Sequence, residues 1–189
     1  LNMAGQVSKS GFKPKKSFDN IINYLEKAKS ISPELSMSYR YAGVQYYENG
    51  QVEKALIEFN HAIDLYPFDD LSLGKRGYIL FKNNHFENAL SDLNRSINIE
   101  PNYFQHYANR GAAYIALNKY ELAINDFEKS LSLKPNNPLV IFNYGISLYN
   151  LNDRIKGNEY FKTAIKLDPS FKNNVDAYLI PKTGHPLVN

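Results

Sequence analysis

From residue 36 onward the apolar positions fall into runs spaced three or four residues apart, the period of a helix rather than a strand. The runs come in pairs, and the pairs repeat. Pro67, Pro101, Pro135 and Pro169 each stand 34 residues from the last, and Gly43, Gly77, Gly111 and Gly145 keep the same step. In the third pair the skeleton reads Tyr107-x2-Arg110-Gly111-x2-Tyr114, then Ala123-x3-Phe127, then Pro135. Self-similarity at such a period marks a stacked-repeat architecture. The pattern predicts an all-α solenoid, an α-α superhelix of stacked helix-turn-helix hairpins.

Four full units are predicted, at residues 36–69, 70–103, 104–137 and 138–171. Residues 18–25 mirror 86–93 two periods on, and Pro33 mirrors Pro101. Residues 17–33 therefore read as the second half of a repeat, with Ser17 as the helix N-cap. The array spans 17–171. Residues 172–189 read as a capping helix, its amphipathic part at 171–180, followed by an irregular tail from Thr183.

Within each unit one slot between the two helices holds Gly50, Asn84, Asn118 or Asn152. Gly and Asn enter the left-handed region at low cost, as a helix end before a tight reversal requires. The prolines stop each second helix. The conserved-step glycines are expected to face Ala55, Ala89, Ala123 and Gly157 across the hairpin, letting the two helices approach. Tyr46, Leu80, Tyr114 and Leu148 are expected to fill the outer turns, together with Phe59, Leu93, Phe127 and Phe161.

Composition changes this picture little. With 43% hydrophobic residues the chain can build a core, and without cysteine it has no disulfide or thiolate metal site. The net charge of +3 is misleading, because Lys9, Lys13, Lys15 and Lys16 all precede the first acid, Asp19. The rest is close to neutral, which argues against a nucleic-acid reader with a basic folded surface. Residues 1–16 read as a disordered basic tail. No apolar run is long enough to span a membrane, and Leu1 to Gly11 lacks the apolar core of a signal peptide.

These residues resemble the tetratricopeptide repeat: 34 residues, helix-turn-helix, and an aromatic-x2-Leu-Gly-x2-Tyr…Ala-x3-Phe…Pro skeleton. The departures are Leu73 and Ile141 at the usual aromatic position, and Gly157 for an alanine. The resemblance implies a right-handed superhelix whose concave groove is lined by the first helix of each pair. It also implies binding of peptides or protein segments, with no catalytic residue in the repeat; the spacing of the histidines and the lack of a Gly-rich phosphate loop give no reason to expect a metal or cofactor.

Helical angle locates the groove. With the second residue of each unit at zero and about 100° per residue, the hairpin-packing positions (fourth, seventh, eighth, eleventh) fall between about 140° and 240°. The second, fifth and ninth fall on the opposite face, at about 0°, 300° and 340°. They are Met37, Arg40, Val44; Leu71, Gly74, Tyr78; Gln105, Ala108, Ala112; and Leu139, Phe142, Ile146. The bordering sixth position holds Tyr41, Lys75, Asn109 and Asn143. These side chains either pack neighbouring first helices or form an apolar trough for a partner segment. The trough reading rests on Met37, Arg40, Tyr41, Val44, Lys75, Tyr78, Gln105, Asn109, Phe142, Asn143 and Ile146. Asn donates and accepts together, so Asn109 and Asn143 suit the backbone of an extended peptide.

Chaperone-binding members of the family grip a terminal carboxylate with Lys, Asn, Asn, Lys and Arg. The corresponding slots here are Arg40, Val44, Lys75, Gln105 and Asn109. One unit on they are Gly74, Tyr78, Asn109, Leu139 and Asn143, so neither frame supplies that clamp. Arg76 with Asp92, and Arg110 with Asp126, share an offset of 16 that becomes Ala42/Glu58 and Tyr144/Tyr160 elsewhere. An ion pair across the hairpin, or one shared with the next unit, is expected. The rival reading sends the arginines into the groove. His61, His85, His106 and His185 read as surface residues, and Asp69-Asp70 as a solvated turn.

The function expected is a non-catalytic protein-interaction scaffold for a peptide or helical segment of unidentified sequence, with the cytoplasm favoured. Two alternatives stand beside it. One is the targeting domain of a larger enzyme. The other is a self-assembling homo-oligomer or export-machinery component, with 171–180 or the tail lodged in a neighbour's groove.

Overall fold

The computed structural model describes residues 15–183, and every regular element among them is an α-helix. In order these are α1 (Lys15–Ile31), α2 (Ser36–Glu48), α3 (Val52–Leu65), α4 (Asp70–Lys82) and α5 (Phe86–Ile99). Then come α6 (Phe104–Ala116), α7 (Tyr120–Leu133), α8 (Pro138–Asn150), α9 (Arg154–Leu167) and α10 (Phe171–Thr183). The helix-turn-helix pairing expected from the repeats is the fold the chain adopts. The expected basic tail falls outside the described residues apart from Lys15 and Lys16, which open α1. Ser17 lies inside that helix and does not cap it. At the other end α10 runs on to Thr183, and residues 184–189 fall outside the described residues.

The turn chemistry works as read. Gly50, Asn84, Asn118 and Asn152 have φ of 77°, 63°, 57° and 68°, the left-handed step that reverses the chain. Helices α5, α7 and α9 stop at Ile99, Leu133 and Leu167, each two residues ahead of a proline. Two compact units divide the chain, residues 1–65 and 66–189.

In the first unit α1 packs on α2, and α2 pairs with α3. Lys29 of α1 is buried and donates to Glu58 Oε2 at 2.7 Å and to Glu26 Oε1 at 2.9 Å, with its ammonium 4.9 Å from the Tyr39 ring centroid. Burial alone would lower the Lys29 pKa, but the two glutamates outweigh it and raise the value.

In the second unit α4/α5, α6/α7 and α8/α9 form hairpins. The first helices make one layer, since α4 touches α6 and α6 touches α8. Helices α5 and α7 pack on the next hairpin as well as their own, and α10 covers α8 and α9. The glycine step meets a large side chain as well as the small residue expected: a Cβ on Gly77 or Gly145 would lie 3.2 and 3.0 Å from the carbonyl oxygens of Ala89 and Gly157. A Cβ on Gly111 would sit 2.5 Å from the Phe127 ring, on Gly77 2.9 Å from Leu93 Cγ, and on Gly145 2.8 Å from the Phe161 ring. Leu93, Phe127 and Phe161 therefore fill the centre of each hairpin, fully buried, rather than its outer turns. In the first unit Phe59 and Gly43 stand the same way.

The arginines turn to the hairpin. Arg76 Nε and Nη2 donate to Asp92 Oδ2 and Oδ1 at 2.7 Å each. Arg110 repeats this on Asp126 at 2.8 and 2.6 Å and adds a 2.8 Å bond to Asn94 Oδ1 on α5, the preceding hairpin. The ion pair expected across the hairpin is thus formed, and Arg110 adds a neutral hydrogen bond to the preceding repeat. In the fourth repeat the slot carries an edge-to-face Tyr144–Tyr160 pair, and Tyr144 Oη donates to Glu128 Oε1 on α7 at 2.8 Å. In the first it carries no arginine, and Glu58 takes Lys29 instead.

Two stability measurements follow from this packing. Gly111→Ala should lower the unfolding free energy by about 1–3 kcal/mol in urea, overpacking outweighing alanine's helix propensity. Asp126→Leu alone should cost about 3–5 kcal/mol by stranding the Arg110 charge, whereas Arg110→Met with Asp126→Leu should recover most of that loss.

Candidate functional site

On the first-helix layer of the second unit lie two adjoining concavities, of about 470 and 300 Å³. They share Tyr78, Gln105, Asn109 and Leu139, so they form one trough across α4, α6 and α8. Volumes of this order hold several side chains of a peptide or a small molecule. On α4 and α6 the helices position these residues as the angular argument requires: second, fifth, sixth and ninth positions line the trough.

Of the residues singled out from sequence, the trough brings together Lys75, Tyr78, Gln105, Asn109 and Asn143. Ala108, Ala112 and Leu139 supply its apolar surface. The side-chain amides of Asn109 and Asn143 make no hydrogen bond to any described residue. Gln105 Oε1 accepts from the Tyr103 hydroxyl, which orients its amide. Met37, Arg40, Tyr41 and Val44 lie on α2, in the first unit. There Met37 and Tyr41 are exposed, Arg40 and Val44 are partly buried, and the Arg40 guanidinium lies 5.7 Å from the Tyr41 ring centroid.

Phe142 and Ile146 are corrections. Phe142 is only 9% exposed and packs against Phe161 and Phe171, at ring-centroid distances of 5.7 and 5.6 Å. Ile146 is packed on the same cluster. Helix α10 closes over this end of α8, so an apolar face that helical angle assigns to the trough becomes core.

Among the wall residues that were missed are Phe81, Lys82, Phe104 and Lys134. The angular ruler holds the signal for two of them. The twelfth and thirteenth positions, Phe81 and Lys82, fall at about 280° and 20°, on the trough face one turn beyond the ninth. Phe104 opens α6, and Lys134 ends α7 with its ammonium 4.6 Å from the Phe104 ring centroid. No helical period reaches a residue in that connection.

His106 and the aspartates also depart from expectation. His106 is 2% exposed and not a surface residue. Its Nε2 stands 3.0 Å from Asp70 Oδ2, and its ring lies 4.7 Å from that of Tyr103. A Cβ on Gly74 would come within 2.5 Å of the imidazole, so Gly74 makes room for it. Burial lowers the His106 pKa, against the opposing pull of Asp70 and Glu100. Asp69 is buried rather than solvated, and its Oδ1 accepts from Ser72 N at 3.2 Å while Oδ2 accepts from Ser72 Oγ at 2.7 Å, capping α4. Among the described residues no group of three or more His, Cys, Asp or Glu is placed to hold a metal ion. No helix among them is long and apolar enough to cross a membrane.

Residues 72–103 and 105–137 match family models described as the tetratricopeptide repeat. No curated protein sequence matches the chain. Among solved structures, MamA from Desulfovibrio magneticus RS-1 is similar at a TM-score of 0.72 and 20% identity, over 82% of this chain and 87% of that one. YrrB, a tetratricopeptide repeat protein with an unusual peptide-binding site, is similar at a TM-score of 0.72 and 15% identity, over 86% and 87%. The first tetratricopeptide repeat domain of Spaghetti, bound to the HSP90 peptide SRMEEVD, is similar at a TM-score of 0.60 and 27% identity, over 62% and 93%.

His106 gives the trough region a pH signature. Its folded pKa lies below the unfolded value of about 6.5, so the unfolded chain takes up the proton first as pH falls. The contribution is complete above that pH and is lost below it. The urea midpoint of the wild type should therefore fall more between pH 7.5 and 5.5 than that of His106→Gln; parallel curves would remove the buried neutral imidazole from the account.

Proposed function

Starting from a chain that is a tetratricopeptide repeat protein, a protein-interaction scaffold, we propose that the trough on α4, α6 and α8 holds an extended segment of a partner protein, without catalysis. The observation that carries this reading is a pair of amides with no internal partner. Asn109 and Asn143 stand on successive first helices in the trough wall, with no hydrogen bond to any described residue. Each can donate to a main-chain carbonyl and accept from a main-chain N–H, whatever the side chains of the ligand. The apolar surface of Ala108, Ala112 and Leu139 between them takes the side chains that such a strand turns inward.

The peptide in the Spaghetti domain and the peptide-binding site of YrrB support the choice of ligand class.

A library of random 12-residue peptides displayed on phage, panned against the full chain, tests the reading. Peptides retained by the wild type should lose about 2 kcal/mol of binding, roughly thirtyfold, on Asn109→Ala with Asn143→Ala, for two hydrogen bonds removed. The melting temperature should stay within about 1 °C, since neither partly buried amide has an internal hydrogen bond to lose. Equal retention by wild type and variant would move the ligand elsewhere.

A further inference from the structure

The charge on the trough is of one sign. Lys75, Lys82 and Lys134 line it, and no aspartate or glutamate does. The sequence of the first-helix layer gives the reason: across α4, α6 and α8 the single carboxylate is Asp70, and His106 engages it. The arginines of the layer are spent on Asp92 and Asp126, so they add little to the open face. Lys75, Lys82 and Lys134 are a different case. None of them forms an ion pair with a described residue; Lys134 lies over Phe104. Exposed carboxylates gather on the other layer instead, at Glu87 on α5 and at Glu121 and Glu128 on α7.

We propose that the segment held in the trough is acidic, with internal Asp or Glu side chains paired to Lys75, Lys82 and Lys134. The inference rests on the peptide-binding reading above and names its ligand class. Complementary charge of this kind speeds association and rejects basic partners more than it adds affinity. The three lysines stand apart, among amides and apolar groups. That arrangement fits separate carboxylates on a peptide better than the continuous phosphates of a nucleic acid, which a basic stripe would track. A terminal carboxylate is not required, because the cations are spread over α4 and the α7–α8 connection instead of converging on one point.

The phage pool supplies the test, because the displayed peptides are fused at their C-terminus and offer no free terminal carboxylate. Peptides whose retention depends on Asn109 and Asn143 are sequenced. One is then synthesised with an amidated C-terminus and measured by fluorescence anisotropy. The pool should be enriched in Asp and Glu. Binding should weaken about fivefold or more in Lys75→Gln/Lys82→Gln/Lys134→Gln, three exposed pairs being lost, and should also weaken in high salt. The variant should melt with the wild type.

Each other outcome overturns the proposal. A pool that depends on the asparagines but is neutral or basic removes the acidic class and leaves the peptide reading standing. Acidic peptides that bind the triple-lysine variant unchanged place the contact elsewhere, on the basic α9 for instance, with Arg154, Lys156, Lys162 and Lys166. Lysine-dependent binding of a 12-nucleotide oligouridylate tighter than any peptide makes the trough a nucleic-acid site. A library with no asparagine-dependent member removes both readings.

Discussion

The distance between the two helices of each hairpin is set where a glycine backbone meets a large side chain from the other helix. At Gly111 and Phe127, and at Gly145 and Phe161, a ring lies where any Cβ would collide. Because the ring is fully buried there, each hairpin closes around one large group and leaves little freedom in the rotation of its first helix. That rotation decides which positions face the trough. A first helix turned by one residue, about 100°, would send Asn109 toward the hairpin and Tyr107 toward the open side. The site therefore depends on a contact that touches no ligand.

Charge is divided along the same line. Guanidinium groups on the first helices reach back to buried aspartates, and Arg110 ties two hairpins together through Asp126 and Asn94. The net stabilisation from such pairs is small, because desolvation offsets the attraction; their effect is to penalise mispairing of helices. Where the pair is absent the slot is refilled by other chemistry, Lys29 on Glu58 in the first unit and Tyr144 on Tyr160 in the second. The cations left over in the second unit's trough are lysines, whose flexible stems and point charge suit an exposed partner better than a fixed internal fork.

The hairpins were legible because their rules are local and repeated: the left-handed Asn84, Asn118 and Asn152, the prolines, and the arginine–aspartate offset each carry their own reason. Helical angle alone made Lys75, Tyr78, Gln105, Asn109 and Asn143 legible, with the apolar Ala108, Ala112 and Leu139 beside them. Two failures come from tertiary setting, and a third from the limits of the period. Phe142 points where the angle says, but α10 covers it. His106 is buried because Gly74, on the neighbouring first helix, gives it space, and no property of residue 106 itself reveals that. Lys134 lies in a connection between helices, where no period applies. Lys82 differs, since it was within reach of the same ruler one turn further on.

The account turns on the trough amides being free to receive a main chain. Side-chain NH2 resonances of Asn109 and Asn143, assigned by substitution and followed as a phage-selected peptide is titrated into the labelled chain, report on this directly. Both should move, with those on the outer face, such as Asn88 of α5, unchanged. Shifts confined to α5, α7 or α9, with the two trough amides unmoved, would contradict it.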